Sequence, residues 1–406
     1  MRILFITTHP PFPPIDGVRI PAAHHLNALS EKHVVDCLIL QCETITYSRS
    51  DIRATQEEVN RLYEVEMSGA GKLGAICREV FLSEPYYGRW RFGEALPEEL
   101  VKTEYDLVWC GTAPAVAIMA KKEIRKELQG KWYAAGLSDI HSLVIRLNAK
   151  EAAKSSSFLY RYVKMPLLRV RSQILRKAER KMLSCYELCT MQTEGEGEWV
   201  RAMGADFDKR ILVLPNGVNS RLFELSLERT EKHLFFVGMV SGIYGERIQW
   251  FFKHAWPLIE GRVTGIKATV IGKGATPELK RFFEEQGVGY TSFVEVLEDI
   301  YQGRMVMIAP IFKGYGIINK VLESMASGCL VVGDKTAFNG IAGFEDGVHG
   351  LVAETAEEFA DKVCRCFESE DYLIKIRTEG RRLVKKQFGW RKRYAVLQAR
   401  VSEIIK

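Results

Sequence analysis

Lys320 and Glu323 stand three residues apart in the run Gly314-Tyr315-Gly316-Ile317-Ile318-Asn319-Lys320-Val321-Leu322-Glu323-Ser324-Met325-Ala326-Ser327-Gly328. On a helix, residues at that spacing share one face. A lysine ammonium is a compact point charge suited to a diphosphate, and an ionised glutamate is an acceptor suited to vicinal ribose hydroxyls. Glu323 would lie roughly 9 Å further along the helix axis than Ile317, about the reach from a diphosphate to its ribose. Gly314 and Gly316 let the backbone turn sharply and approach a ligand closely. The helix that follows presents its unpaired N–H groups and positive dipole end to a phosphate. Together these residues could cradle a sugar nucleotide. The bland alternative is an ordinary turn carrying a surface Lys–Glu pair, worth about 0–1 kcal/mol.

The flanking residues indicate what holds this stretch in place. Met305–Pro310 before it and Cys329–Gly333 after it are short apolar runs of buried-strand character. Between them Ile317, Val321, Leu322 and Met325 recur at helical spacing. The unit reads as strand, glycine loop, helix, strand: one step of a parallel sheet. Two similar loops precede it. Leu234–Gly238 is a strand leading to the loop Ser241–Gly245 and a helix over Ile248–Ile259. Thr269–Ile271 is a strand leading to Gly272-Lys273-Gly274, and Gly289–Val294 is a further short strand. Three glycine-bearing loops at strand ends within roughly 80 residues favour a nucleotide site, because such a sheet binds ligands at one edge only. Gly238, Gly272 and Lys273 therefore join the candidate donor-binding residues.

The first half of the chain repeats the pattern. Arg2–Ile6 is a strand, residues 7–20 form a loop with four prolines and Asp16-Gly17, a helix begins at His24, and Val34–Leu40 is the second strand. That loop carries no GxGxxG, so a dinucleotide fingerprint is absent. Gly17 offers backbone access at a strand's carboxyl end, against the plain alternative of an Asp-Gly turn. Asp106–Gly111, Trp132–Gly136, Leu188–Gln192 and Ile211–Leu214 are further strands, while residues 45–105 read only as packing. After Gly136 come Ser138, Asp139, His141 and Ser142, polar groups that could position a sugar hydroxyl or a leaving group, or simply cap the next helix. Asp206-Phe207-Asp208 lies between a helix and a strand and is set aside as a metal site. Cys185/Cys189 and Cys364/Cys366 lack zinc spacing, so no metal is expected.

Composition bounds the rest. The chain has 406 residues, 47% hydrophobic and 27% charged, with a formal net charge of +6, an ordinary globular composition for two or three domains. The opening residues are too short for a signal segment, and no apolar run approaches the ~18 residues of a spanning helix. Nine cysteines, an odd number set mostly in apolar runs, suggest buried thiols of a reducing compartment. The expectation is a cytoplasmic protein, peripheral on the inner face of the plasma membrane. Over residues 158–181 eight basic residues face the single acid Glu179, interleaved with Phe158, Tyr162, Leu167 and other apolar side chains. Such a segment suits an anionic leaflet, or equally a solvated helix face with its apolar side in the core. No nucleic-acid module accompanies it.

Pro215-Asn216-Gly217-Val218, Phe236-Val237-Gly238, Val270-Ile271-Gly272-Lys273-Gly274 and the run from Gly314 to Gly328 together resemble the glycosyltransferases of the GT-B fold, in particular retaining family 4 and a branch common in bacterial surface-polysaccharide synthesis. The resemblance covers nearly the whole chain, including Pro13-Pro14-Ile15-Asp16-Gly17-Val18-Arg19. It implies an α/β protein of two Rossmann-like, doubly wound parallel-sheet domains facing each other across a cleft: 1–215 on the acceptor side, 216–385 for the nucleotide sugar, and 386–406 a C-terminal helix packing back on the first domain. It implies that Glu323 holds the donor ribose, that Lys320 and the backbone of Gly316, Ile317, Ile318 and Asn319 hold the diphosphate, that Gly17 lies against the phosphates, and that residues near Val294 border the base. Lys320, Asp139 and His141 would be the catalytic set. The family's first glutamate position is Tyr315 here, its His-Asp pair falls on Ser138-Asp139, and its Arg and Lys after the first strand of the second domain have no counterpart in Met239–Arg247. The implied reaction moves a sugar from a UDP- or GDP-linked donor to a saccharide or lipid-linked acceptor with retention, using no cofactor. A sugar-nucleotide epimerase of the same architecture and a non-catalytic nucleotide- or membrane-binding subunit are the alternatives.

Overall fold

The structure is a computed structural model that describes residues 1–406 except 44, 70, 154–157, 159, 229–230, 313–315 and 406. Gly314 and Tyr315 thus lie outside the described residues. The chain forms two compact units, Met1–Asn216 with Arg391–Lys406, and Gly217–Trp390.

The first unit is built on an eight-stranded sheet: β1 (Arg2–Thr7), β2 (Val34–Cys42), β3 (Arg61–Gly69), β4 (Trp90–Phe92), β5 (Tyr105–Cys110), β6 (Gly130–Gly136), β7 (Leu188–Met191) and β8 (Ile211–Val213), in the order β4-β3-β2-β1-β5-β6-β7-β8. All neighbours run parallel except β3 and β4. Ile3 pairs with both Val35 and Leu107, so β1 is central, and residues 3–6 are fully buried. Helices cover both faces, which is why these strands read as continuous apolar runs. The helix Trp390–Ile405 also packs here: Leu397 and Val401 join the cluster of Ile3, Leu26 and Leu107. Its Gln398 donates to Ala28 O and to a Glu31 carboxylate oxygen, both at 2.7 Å.

The second unit holds β9 (His233–Val237), β10 (Lys267–Ile271), β11 (Gly289–Thr291), β12 (Val306–Ala309), β13 (Leu330–Gly333) and β14 (Leu351–Val352), all parallel in the order β11-β10-β9-β12-β13-β14. The helix after β9 starts earlier than its sequence suggests, spanning Gly242–His254, with a separate turn Trp256–Glu260. Ser241 is already extended and serves as N-cap, and Pro257 lacks the N–H needed to continue the first helix. The two crossings between units lie side by side within this half: Val218 N–H donates to Phe388 O at 2.8 Å. Seven of the nine cysteines are buried and all nine are free. Among the described residues no helix is long and apolar enough to cross a membrane.

Candidate functional site

In each sheet the strand order reverses beside the first strand, between β1 and β5 and between β9 and β12. Open α/β sheets bind ligands outside the carboxyl ends of the strands at this reversal. In the second unit the two bounding loops are those after β9 and β12. They hold Gly238 and the run Gly316–Asn319, so the topology brings the sequence candidates to one sheet edge.

Gly316 has φ +78, a left-handed conformation that favours glycine. The chain then enters the helix Asn319–Ala326, whose N-cap Ile318 supplies no side-chain acceptor. Val321, Leu322, Met325 and Ala326 are buried under it. Glu323 shares that burial, at 8% exposure, so the pair with Lys320 is not the surface pair that spacing alone allowed. One Glu323 carboxylate oxygen accepts from the Tyr301 hydroxyl at 2.5 Å and from the Lys320 ammonium at 2.7 Å. Tyr301 is fully buried. Burial, then the Glu323 carboxylate, raises its phenol well above the ordinary value, so it stays a donor. The Glu323 carboxyl is thereby oriented from below by a group that precedes β12, which helical spacing could not reveal.

Two further residues shape this edge. Asp334, buried just beyond β13, accepts from Ile311 N–H at 2.6 Å, Phe312 N–H at 2.8 Å and Thr336 N–H at 2.8 Å. Phe312 sits at φ +50, a conformation costing a bulky residue roughly 1 kcal/mol or more. The Asp334 carboxylate holds it there, fixing the exit of β12. Replacing Asp334 by Asn turns an amide N–H toward backbone N–H groups, and a loss of about 1–3 kcal/mol is expected in denaturant unfolding. A change within 0.5 kcal/mol would contradict that role (roughly the noise of a surface substitution). Arg247, on the helix after β9, lies over the Phe312 ring at 5.2 Å, and its buried Nε has no hydrogen-bond partner. This cation therefore reaches the loop after β12.

The other glycine loops are knitted together by backbone. Gly238 N–H donates to Ile271 O at 3.0 Å and Val240 N–H to Lys273 O at 2.8 Å. A Cβ on Gly272 would fall 1.6 Å from Gly238 O, so close approach of two chain segments accounts for that glycine. Lys273 projects to the Phe293 ring, 4.8 Å from its centroid. Val294 is half-buried against the cluster that also packs Ile317 and Ile318.

The remaining candidates belong to the first unit. Asp16 accepts from Val18 and Arg19 N–H, each at 2.9 Å, and Gly17 has open space where a Cβ would be. His141 starts the helix His141–Ala153; its Nδ1 lies 2.9 Å from the Tyr86 hydroxyl and its ring 4.6 Å from Tyr87. Burial, then Arg171, lowers it to about 4, so the imidazole is neutral at physiological pH. Desolvation raises the Asp139 carboxyl. Desolvation is also the main cause that brings nearby Glu196 to about 7, with Asp139 adding repulsion. Below His141 lies Glu179, which accepts from Ser142 N–H at 3.2 Å and the Tyr87 hydroxyl at 3.3 Å. Burial brings its carboxyl from 4.5 to about 7. Between these values the folded chain holds a proton that the unfolded chain has lost. Stability from this site is therefore full below about 4.5 and declines as pH rises through 7. Glu179→Gln is expected to raise the melting temperature at pH 8 and leave it nearly unchanged at pH 4, the full difference being on the order of 3 kcal/mol. Parallel melting curves for both proteins at the two pH values would refute this. Among the described residues no group of His, Cys, Asp and Glu is arranged to hold a metal.

Residues 231–369 match the family model described as glycosyl transferases group 1. No curated protein sequence matches the chain. Anabaena Alr3699/HepE in complex with UDP and glucose superposes at TM-score 0.64 with 12% identity, over 99% of this chain and 100% of that one. Sucrose-phosphate synthase from Thermosynechococcus elongatus gives 0.65 and 16% over 100% and 99%. A glycosyltransferase from Rickettsia africae gives 0.65 and 13% over 100% and 98%. At these identities the likeness is one of fold, and the fold is GT-B.

Proposed function

We propose that this chain is a glycosyltransferase that moves a sugar from a UDP-linked donor to a saccharide or lipid-linked acceptor, with retention, in cell-surface polysaccharide synthesis. The observation that carries the reading is Glu323, buried and oriented by Tyr301, inside a helix that opens at the strand-order reversal. A ribose would bring its two hydroxyls to that carboxylate, replacing part of the Lys320 contact and freeing the ammonium for the diphosphate. The match of residues 231–369 to a glycosyltransferase family supports the assignment. Uridine is favoured over guanosine because the Anabaena protein was solved with UDP.

In the reaction the bond from the anomeric carbon to the diphosphate oxygen breaks, and a bond to the acceptor oxygen forms on the same face. The acceptor's proton passes to a donor phosphate oxygen. Negative charge grows on the leaving diphosphate, where fixed positive groups lower the barrier. Lys320, Arg247 and the N-terminus of Asn319–Ala326 supply them. Asp139 and the neutral His141 are assigned to orienting sugar hydroxyls or the acceptor. Lys273 and Val294 border the donor.

Lys320→Ala is expected to lose most transfer while remaining folded, with a lowered melting temperature because the buried Glu323 carboxylate keeps only Tyr301 as a partner. Transfer is measured as UDP release from a panel of UDP-sugars with and without saccharide acceptors. Unchanged turnover in the variant would remove the role of Lys320. Epimerisation of the donor with no acceptor consumed would overturn the transferase reading.

A further inference from the structure

In the first unit, two segments distant in sequence place large apolar side chains in solvent. Along the helix Met165–Leu183, the buried face runs through Ser172, Leu175, Ala178, Glu179, Met182 and Leu183. Beside it, Leu167, Val170, Ile174, Lys177 and Lys181 recur at alternating spacings of three and four and so form a second stripe. Leu167 and Val170 are 64% and 59% exposed. The other segment is the helix Lys72–Cys77 continued by the π-turn Arg78–Leu82. There Leu73 and Phe81 are 81% and 80% exposed.

The segments adjoin along that stripe. Lys181 Nζ donates to Leu82 O at 3.4 Å, and Arg171 Nε lies 3.5 Å from a Glu79 carboxylate oxygen. The acids of both segments turn inward: Glu79 is 3% and Glu179 1% exposed. Arg169 and Lys177 flank Val170 and Ile174 on the exposed side of the helix, Arg161 and Lys164 are exposed just before it, and neither segment adds an exposed acid. Sequence alone left the basic segment open to a solvated-face reading with its apolar side in the core. The structure instead exposes several of those apolar residues and adds a second segment beside them.

We infer that this face docks the protein on an anionic phospholipid bilayer. Apolar side chains set among cations are the pattern that enters a headgroup layer, while the cations meet lipid phosphates. An apolar patch without charge would suit a neutral partner as well. A second copy of this chain would bring like charges together. The inference is independent of the transferase reading, since none of these residues is assigned to the donor site.

The test is co-sedimentation of the full chain with vesicles of phosphatidylcholine alone and of phosphatidylcholine mixed with phosphatidylglycerol. At least roughly tenfold stronger binding to the anionic vesicles is expected, weakened by salt. Leu73→Ser with Phe81→Ser, and separately Arg169→Glu with Lys177→Glu, are each expected to lose that preference while retaining the melting temperature and the shift caused by UDP. Equal affinity for both vesicles would overturn the inference, as would undiminished binding by both double variants. So would a wild-type dimer that the variants convert to monomer in light scattering, since a second copy would then occupy the face. Loss of vesicle binding with the UDP shift kept, or the reverse, separates failure here from failure of the donor site.

Discussion

Alanine at position 323 is expected to abolish the rise in melting temperature that UDP causes and to cut transfer by two orders of magnitude or more. The carboxylate is assigned two hydrogen bonds from the ribose, and charge-assisted bonds of this kind contribute about 1.5–3 kcal/mol each. Their joint loss exceeds about 3 kcal/mol, over 100-fold in affinity. The same change leaves the buried Tyr301 hydroxyl without its acceptor, costing the unliganded protein about 1–3 kcal/mol. The ligand-induced shift, not the absolute melting temperature, is therefore the readout. Glu323→Gln keeps an acceptor for Tyr301 and is expected to fall between wild type and alanine. Tyr301→Phe leaves the carboxylate in place but unoriented, and weakens UDP binding with little change of charge. A full UDP shift in the alanine variant would show that the carboxylate does not hold the nucleotide.

Gly272→Ala is expected to have the largest effect on stability. The new Cβ would lie 1.6 Å from Gly238 O and 2.8 Å from Gly238 C, and both are backbone atoms that no rotamer change can move. Either the loop after β9 or the loop after β10 must shift, breaking the Val240–Lys273 hydrogen bond. Overpacking with displaced backbone places the cost at about 3 kcal/mol or more, measured by urea unfolding. Gly17→Ala is the contrast. Nothing lies within 4 Å of its added Cβ, so stability is expected to stay within about 0.5 kcal/mol. A Gly272→Ala protein as stable as wild type would refute the packing account of these loops.

The strand–loop–helix–strand unit around Lys320 was legible because hydrophobic periodicity changes from two to 3.6 and back within one short stretch. What the sequence could not show are contacts made across distance. Tyr301 meets Glu323 from 22 positions away, and Asp334 meets Ile311 from 23. Arg247 reaches Phe312 only because β9 and β12 are neighbours. β3 went unread although Leu62, Val65 and Met67 mark it, because Glu64 and Glu66 interrupt the apolar run and only part of the strand is buried. β4 has three residues, too few for a period. The exposed side of Lys72–Leu82 was invisible for another reason: Leu73, Ile76, Val80 and Phe81 have the composition of a core helix, and only the fold shows them facing water.

The central claim is that a nucleoside diphosphate binds in the second unit, where the loops after β9 and β12 leave the sheet. Hydrogen–deuterium exchange of the full chain with and without UDP tests it directly. The account predicts slowed amide exchange in residues 238–247 and 311–323, with β2 and β3 unchanged. Unaltered exchange in both loops at saturating UDP, or protection confined to other segments, would contradict it.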